Sequence, residues 1–300
     1  MRCWTSVETV TGQSQDNPSP IRLLELRPAG MFSNVNEVVQ QLYLAEMHGY
    51  RFTIDWSASS YRDGERTEDP WNYYFEDCYP GPLVPTDPDP LPGGIEVACT
   101  RDNIITPRAE DNRCDPLLLP RDRDLPHRII TEYLHPKPHI EALVAAFAEA
   151  HFEQPTIGLH VRGPGRNHGG VPEMRSRLGH PDRVPLAAFV EPALEAMRQL
   201  GSSRLFLASD SAMVIREIRQ SFGDEVVVTY SAIRSEFGEM HQRGQPQNRG
   251  LQFDTHKLGE DVLVEAYLLS QTDYLVHGNS NVANFVICAN PELRHHYVEA

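Results

Sequence analysis

The sequence predicts an α/β protein built on parallel sheet, with helices on both faces. Three observations carry this expectation. Short apolar runs of strand length alternate with longer segments of helical spacing along most of the chain. Gly, Asn, Ser and Asp collect where a run of the first kind hands over to one of the second. A chain of 300 residues, 40% of them hydrophobic, also has ample core for two domains of ordinary size.

Taken in order, Ile21-Arg-Leu-Leu-Glu-Leu26 reads as a strand. Val35, Val38, Val39, Leu42 and Ala45 then fall at helical spacing, and Gly49 closes that helix. Arg51-Phe-Thr-Ile-Asp-Trp56 is a second strand, which completes a β–loop–α–β unit with the loop Gly30-Met-Phe-Ser-Asn34 at the end of the first strand. The stretch from Tyr79 to His127, rich in Pro, Asp and Arg, has little periodicity and reads as an irregular excursion holding at most one short helix. From Pro138 onward regularity returns. Ile140, Leu143, Val144 and Phe147 mark a helix, and Thr156-Ile-Gly-Leu-His-Val161 a strand. A Gly-rich loop follows, then a helix through Phe189, Val190, Leu194 and Met197 and a strand at Arg204–Ala208. Val214, Ile215 and Ile218 mark the next helix, Glu225–Thr229 the next strand, and Val262, Leu263, Ala266, Tyr267 and Leu269 a broad-faced helix. Tyr274–His277 and a closing helix end the series. Two Rossmann-like halves are expected, residues 1–150 and 151–300, with ligands beyond the carboxyl ends of the strands.

Composition removes several classes of function. The formal net charge of −15 sets the overall field against nucleic acid. Five cysteines without a C-x-x-C pair argue against a disulfide framework or a zinc ribbon and suit a reducing cytoplasm. No apolar run is long enough to span a bilayer, and the first residues lack the apolar core of a secretion signal. The His135/His139 and His295/His296 pairs lack partner ligands at diagnostic spacing, so no metal site is expected. No P-loop, kinase or G-x-S-x-G signature is present.

Four loops at strand ends carry the candidate chemistry. In Ile157-Gly-Leu-His-Val-Arg-Gly-Pro-Gly, His160 and Arg162 share one side of a strand. Arg162 is placed to fork onto a diphosphate, or onto a structural carboxylate. Arg166, His168, Arg175, Arg177 and Arg183 add positive charge locally to an acidic chain. In the Gly30–Asn36 loop, Gly30 allows close approach, and Asn34 or Asn36 caps the helix or donates to a ligand. In Ser209-Asp210-Ser211, Asp210 caps a helix or accepts from a sugar hydroxyl. In Gly278-Asn-Ser-Asn281, a tight turn opens a helix with free backbone N–H groups, as a phosphate requires.

In this order, the Gly–aromatic–Ser–Asn helix opening, "HVRG" after a strand, "FLASDS" and "LLSQTDYLVHGNSNVANF" resemble the fucosyltransferases that use GDP-fucose. The nearest in pattern are the α1,6-fucosyltransferases, with the protein O-fucosyltransferases more distant. The resemblance is best from Thr156 to Pro291. It implies a GT-B fold and metal-independent, inverting transfer from a nucleotide-sugar donor to a glycan or small-molecule acceptor, with no further cofactor. It also implies that His160 binds guanine, Arg162 the β-phosphate, Glu265 the guanine edge, and Ser280 and Asn281 phosphate. Asp210 then lies near the donor, and the Gly30–Asn34 loop contributes from the first domain. Where the α1,6 enzymes carry two consecutive arginines this chain has Arg162-Gly163, and their acidic base has no clean counterpart. Glu173 and His168 are the candidate bases; Glu173 is equally a solvated loop carboxylate. The absence of the animal Golgi enzymes' extra modules leads us to expect a stand-alone, bacterial-type enzyme. Two other readings stay open: a GT-B transferase for another nucleotide-sugar, and an inactive nucleotide-sugar or glycan-binding protein.

Overall fold

The structure is a computed structural model that describes residues 21–48, 51–76, 123–162, 184–236, 254–278 and 280–298. Strand β1 (Ile21–Glu25), helix α1 (Met31–His48) and strand β2 (Arg51–Asp55) form the expected unit, with β1 and β2 paired in parallel from Ile21↔Arg51 to Glu25↔Asp55. After α2 (Trp71–Tyr74) come α3 (Asp124–Tyr133) and α4 (Pro138–His151). The rest alternates: β3 (Thr156–His160), α5 (Ala187–Leu200), β4 (Arg204–Ala208), α6 (Ala212–Phe222), β5 (Val227–Val228), α7 (Thr255–Ser270), β6 (Tyr274–His277), α8 (Asn281–Ala289) and β7 (Arg294–Tyr297).

Strands β3 to β7 form an all-parallel sheet in the order β5-β4-β3-β6-β7. Side-chain alternation sorts the strands onto two faces. Ile157, Leu159, Leu205, Leu207 and Val276 turn towards Phe189, Ala193 and Ala196 of α5 and Val214 and Ile218 of α6. Phe206, Ala208 and Leu275 turn the other way, into a core with α4, α7 and α8. On that second face Gly158 is needed for space: a Cβ there would meet Thr272 Oγ1 at 2.7 Å and Leu269 at 3.2 Å. The end of α7 therefore lies directly on β3.

The second core also reaches the first sheet, since Leu24, Phe32, Val35, Val38, Leu42 and Trp56 belong to the same cluster. Two seams join the regions. At the start of α7, a Cβ on Gly259 would lie 2.2 Å from the Tyr74 hydroxyl, and that hydroxyl donates to the His256 carbonyl at 3.0 Å. At the start of α8, the rings of Phe32 and Phe285 are 4.7 Å apart, and Asn36 Nδ2 donates to the Asn281 carbonyl at 3.2 Å.

Helix α3 begins within the last residues of the stretch read as irregular with one short helix, and residues 79–122 of that stretch lie outside the described residues. Two expectations need correction. The strand expected at Glu225–Thr229 shrinks to Val227–Val228, because only those residues pair with β4, opposite Leu205 and Phe206. The closing helix is followed by another strand, β7, whose Arg-His-His-Tyr sequence gives no apolar alternation. It forms because β6 offers an edge to pair with and because one of its histidines finds a buried partner.

Candidate functional site

The strand order runs outward from β3 on one side and, after α7, outward from β6 on the other. The reversal between β3 and β6 is a topological switch point, where crossovers leave a crevice beyond the carboxyl ends. The last residues there are His160 and His277, register partners on adjacent strands, with Ala208 opposite His160 on β4.

His160 is 7% exposed, and among the described residues neither ring nitrogen meets a partner at hydrogen-bonding geometry, although the Ala208 carbonyl lies close enough to act on the ring. Burial pushes its pKa down to about 4; the Asp210 carboxylate opposes this, and the Arg162 charge and the Ala208 carbonyl act more weakly in opposite senses. The imidazole is therefore neutral near pH 7, with one N–H to give and one lone pair to receive. Its electrostatic neighbours also bring Arg162 and Asp210 to the mouth of the crevice, as the sequence leads one to expect.

His277 is its opposite. Its Nδ1 donates to the Gly278 carbonyl at 3.0 Å, and its Nε2 faces Nδ1 of His295 at 3.1 Å. Arg123 approaches Nε2 of His295 at 2.5 Å. Because arginine can only donate, the chain has one consistent tautomer set: Arg123 gives to His295, His295 to His277, and His277 to Gly278. Burial lowers His277 to about 3 and His295 to about 4. His295, half of a suggestive pair in the sequence, is thus a link in a neutral relay. Among the described residues no group of three or more His, Cys, Asp or Glu is arranged to hold a metal ion.

At the end of β4, the capping expectation moves by one residue. Ser211, not Asp210, caps α6 by accepting from the Val214 N–H at 3.4 Å. Extended backbone at Ser211 aims its hydroxyl at the helix start and leaves Asp210 one residue outside. The Asp210 carbonyl accepts from the Ser235 N–H at 2.8 Å, and the Ser235 carbonyl from the Ala212 N–H at 2.9 Å. This zips the segment after β5 onto the end of β4 and delivers Arg234, which sequence reasoning missed because it lies in a polar loop without a motif.

Arg234 forks onto Glu265 of α7, with contacts of 2.5 and 3.1 Å to the two carboxyl oxygens. It also donates to the Tyr230 carbonyl at 3.0 Å and to the Ser209 carbonyl. Glu265 and Arg234 side chains are 9% and 13% exposed. Burial raises the Glu265 carboxyl towards about 7, Arg234 pulls it down, and Asp261 and Asp210 push it further up.

Ser280 is the N-cap of α8, accepting from the Ala283 N–H at 3.0 Å. The turn is therefore a built helix start, as its sequence predicts, and Asn36 of α1 grips its first carbonyl. Asn34 is buried and closes its own loop by donating to the Arg27 and Ala29 carbonyls at 3.0 and 3.4 Å. That geometry commits its amide N–H groups to the loop, and Gly30 accepts the first N–H bonds of α1. His168, Glu173 and the basic residues Arg166, Arg175, Arg177 and Arg183 lie outside the described residues.

This α/β architecture of parallel sheets is similar to the GT-B-type fold of solved fucosyltransferases. The fucosyltransferase NodZ from Bradyrhizobium superposes with a TM-score of 0.51 over 91% of this chain and 92% of that one, at 15% identity. POFUT1 in complex with GDP-fucose gives 0.52 over 95% and 99%, at 12% identity. By sequence, Nodulation protein Z of Bradyrhizobium diazoefficiens is 28% identical over 174 residues, 54% of this chain. The match spans 42% of that relative's length. No protein-family model matches the chain. The resemblance to GDP-fucose-dependent fucosyltransferases is borne out by these relatives.

Proposed function

We propose that the chain is a glycosyltransferase that moves fucose from GDP-fucose to an acceptor hydroxyl, with inversion and without a metal ion. The observation that carries this reading is His160: a buried, neutral imidazole whose nitrogens meet no hydrogen-bonding geometry among the described residues, at the switch point between β3 and β6. An orphaned polar group of this kind costs about 1–3 kcal/mol unless a ligand completes it. Its neighbours have the chemistry of a guanosine diphosphate site. Guanine presents N1–H and N2–H donors, for which the Glu265 carboxylate is the natural acceptor. Arg162 and the capped start of α8 at Ser280 and Asn281 suit the diphosphate. Solved relatives include a POFUT1 complex with GDP-fucose and a NodZ crystal soaked with it.

In the reaction, the acceptor oxygen bonds to the anomeric carbon as that carbon's bond to the β-phosphate oxygen breaks. The electron pair leaves with GDP, where Arg162 and the helix start spread the charge. The acceptor proton passes to a base, for which the sequence offers Glu173 or His168. Asp210 lies beside the donor, and the Gly30–Asn34 loop faces it from the first sheet. We place the donor side in residues 151–300 and the acceptor side in residues 1–150, and the reaction in the cytoplasm. No described helix is long and apolar enough to cross a membrane.

The test is calorimetric titration with GDP, ADP and UDP of the full chain and of Glu265→Ala, followed by GDP-fucose turnover with oligosaccharide and small-molecule acceptors. GDP preference that collapses in the variant, with fucosyl transfer by the parent, is the expected result. Absence of any GDP preference overturns the donor assignment. GDP-fucose binding without turnover on any acceptor would make the chain a nucleotide-sugar-binding protein instead.

A further inference from the structure

We propose that Arg234 is the positioning residue that keeps Glu265 an oriented carboxylate and thereby sets the purine specificity of the donor site. The inference rests on the reading of Glu265 as the partner of the base, and it concerns a residue that reading does not use.

The geometry separates Arg234 from the groups that would touch a ligand. A guanidinium has four N–H bonds on its two terminal nitrogens. Here one nitrogen gives to the Ser209 carbonyl and one Glu265 oxygen, and the other to the Tyr230 carbonyl and the second Glu265 oxygen. All four terminal donors are consumed within the protein. Arg234 is therefore unsuited to seize a phosphate, unlike an arginine projecting from a strand end. It is a clamp between the end of β4, the segment after β5, and α7.

Glu265 needs such a clamp. It is 7% exposed, and the charges facing it are mostly of its own sign: Asp261 one turn earlier on α7 and Asp210 after β4. Lys257, which pairs with Asp261 and Glu260, draws one positive charge to α7 but spends it there. Left alone in that setting, a buried carboxyl takes up a proton, and a protonated one cannot accept from both donors of a guanine edge. The fork from Arg234 uses one lone pair on each oxygen and leaves acceptor capacity on both. It fixes the plane of the carboxylate before a ligand arrives, which removes an ordering cost from binding. Adenine presents no matching pair of donors on that edge, so loss of the ionised form should cost GDP and leave ADP unaffected.

The experiment compares GDP and ADP binding by calorimetry at several pH values in the parent and in Arg234→Gln, Arg234→Lys and Glu265→Gln. The expected result is a parent preference for GDP that weakens as pH falls through about 7, where Glu265 takes up its proton. In Arg234→Gln that loss should move to higher pH, so that near pH 7 GDP affinity lies roughly tenfold below the parent's and recovers only as pH rises further and Glu265 ionises. ADP affinity should stay constant, and Arg234→Lys should restore part of the loss. Glu265→Gln, which leaves the clamp in place, should lose GDP preference at every pH; this variant decides the matter if Arg234→Gln does not fold. A flat GDP profile in Arg234→Gln, tighter GDP binding there, or GDP preference retained in Glu265→Gln would overturn the inference. A parent that does not favour GDP would instead overturn the base assignment on which it rests.

Discussion

The carboxyl ends of β3 and β6 carry the same residue type at the same depth, yet the two histidines behave in opposite ways. His277 has a partner on each ring nitrogen, whereas His160, its register neighbour, has none at hydrogen-bonding geometry among the described residues. Burial alone explains why both are neutral. It does not explain why one is wired and the other open. The difference falls between adjacent strands: one buried imidazole is satisfied through an edge strand and an arginine, and the other is the one we propose a ligand completes.

The sharpest way to break this comparison is to remove the wired member. His277→Phe leaves the Gly278 carbonyl and the His295 N–H without partners, and we expect a loss of about 2–4 kcal/mol in urea unfolding. The open member should respond the other way. His160→Phe replaces an unpartnered polar group by an apolar one, so stability should hold or rise slightly, by up to about 1 kcal/mol, while GDP affinity falls roughly tenfold. If both substitutions destabilise alike, the distinction drawn from hydrogen bonding is wrong.

Acid provides a second probe. His277, His295 and His160 all have folded pKa values depressed by burial, so the unfolded chain binds protons that the folded chain refuses. Stability from these groups is present above their ordinary value near 6.5 and is lost as pH falls towards 4. Glu265, Asp69 and Asp261, raised by burial, act oppositely, because the folded chain holds their protons more tightly. The clean readout is therefore a difference: His277→Phe should flatten the decline between about pH 6.5 and 4 by on the order of 1 kcal/mol per pH unit. Equal slopes in parent and variant would count against a neutral, buried His277.

The smallest effect compares two serine caps. Ser211→Ala and Ser280→Ala should each cost about 1 kcal/mol of stability. Only the second lies at the proposed phosphate turn, so only Ser280→Ala should also weaken GDP binding. A matching loss in Ser211→Ala would move the diphosphate to the other helix start.

Much of this was legible in the sequence where the signal is local. Alternating runs gave β1, α1 and β2, and β3, β4 and β6 fall within a residue of their expected bounds. Gly278-Asn-Ser-Asn281 announced a capped helix start, which Ser280 supplies. What sequence could not supply depends on distant partners. Strand β7 is a polar, half-exposed tetrapeptide whose pairing depends on β6 and on His277, reached only after folding. Arg234 has no spacing relation to Glu265 and meets it because the Ser211–Ser235 bridge brings its loop across the end of β4. The sequence offers Asp210 as a cap or as an acceptor from a sugar hydroxyl, and the cap is the next residue, a choice made by the backbone angles at Ser211.

The grip of α1 on the first turn of α8 also has a mechanical meaning. Asn36 and Phe32 fasten the first sheet's helix to Asn281 and Phe285, at the rim of the crevice. Together with the Tyr74–Gly259 seam it ties the first sheet to the second at two separate points, so neither can turn about one of them without breaking the other.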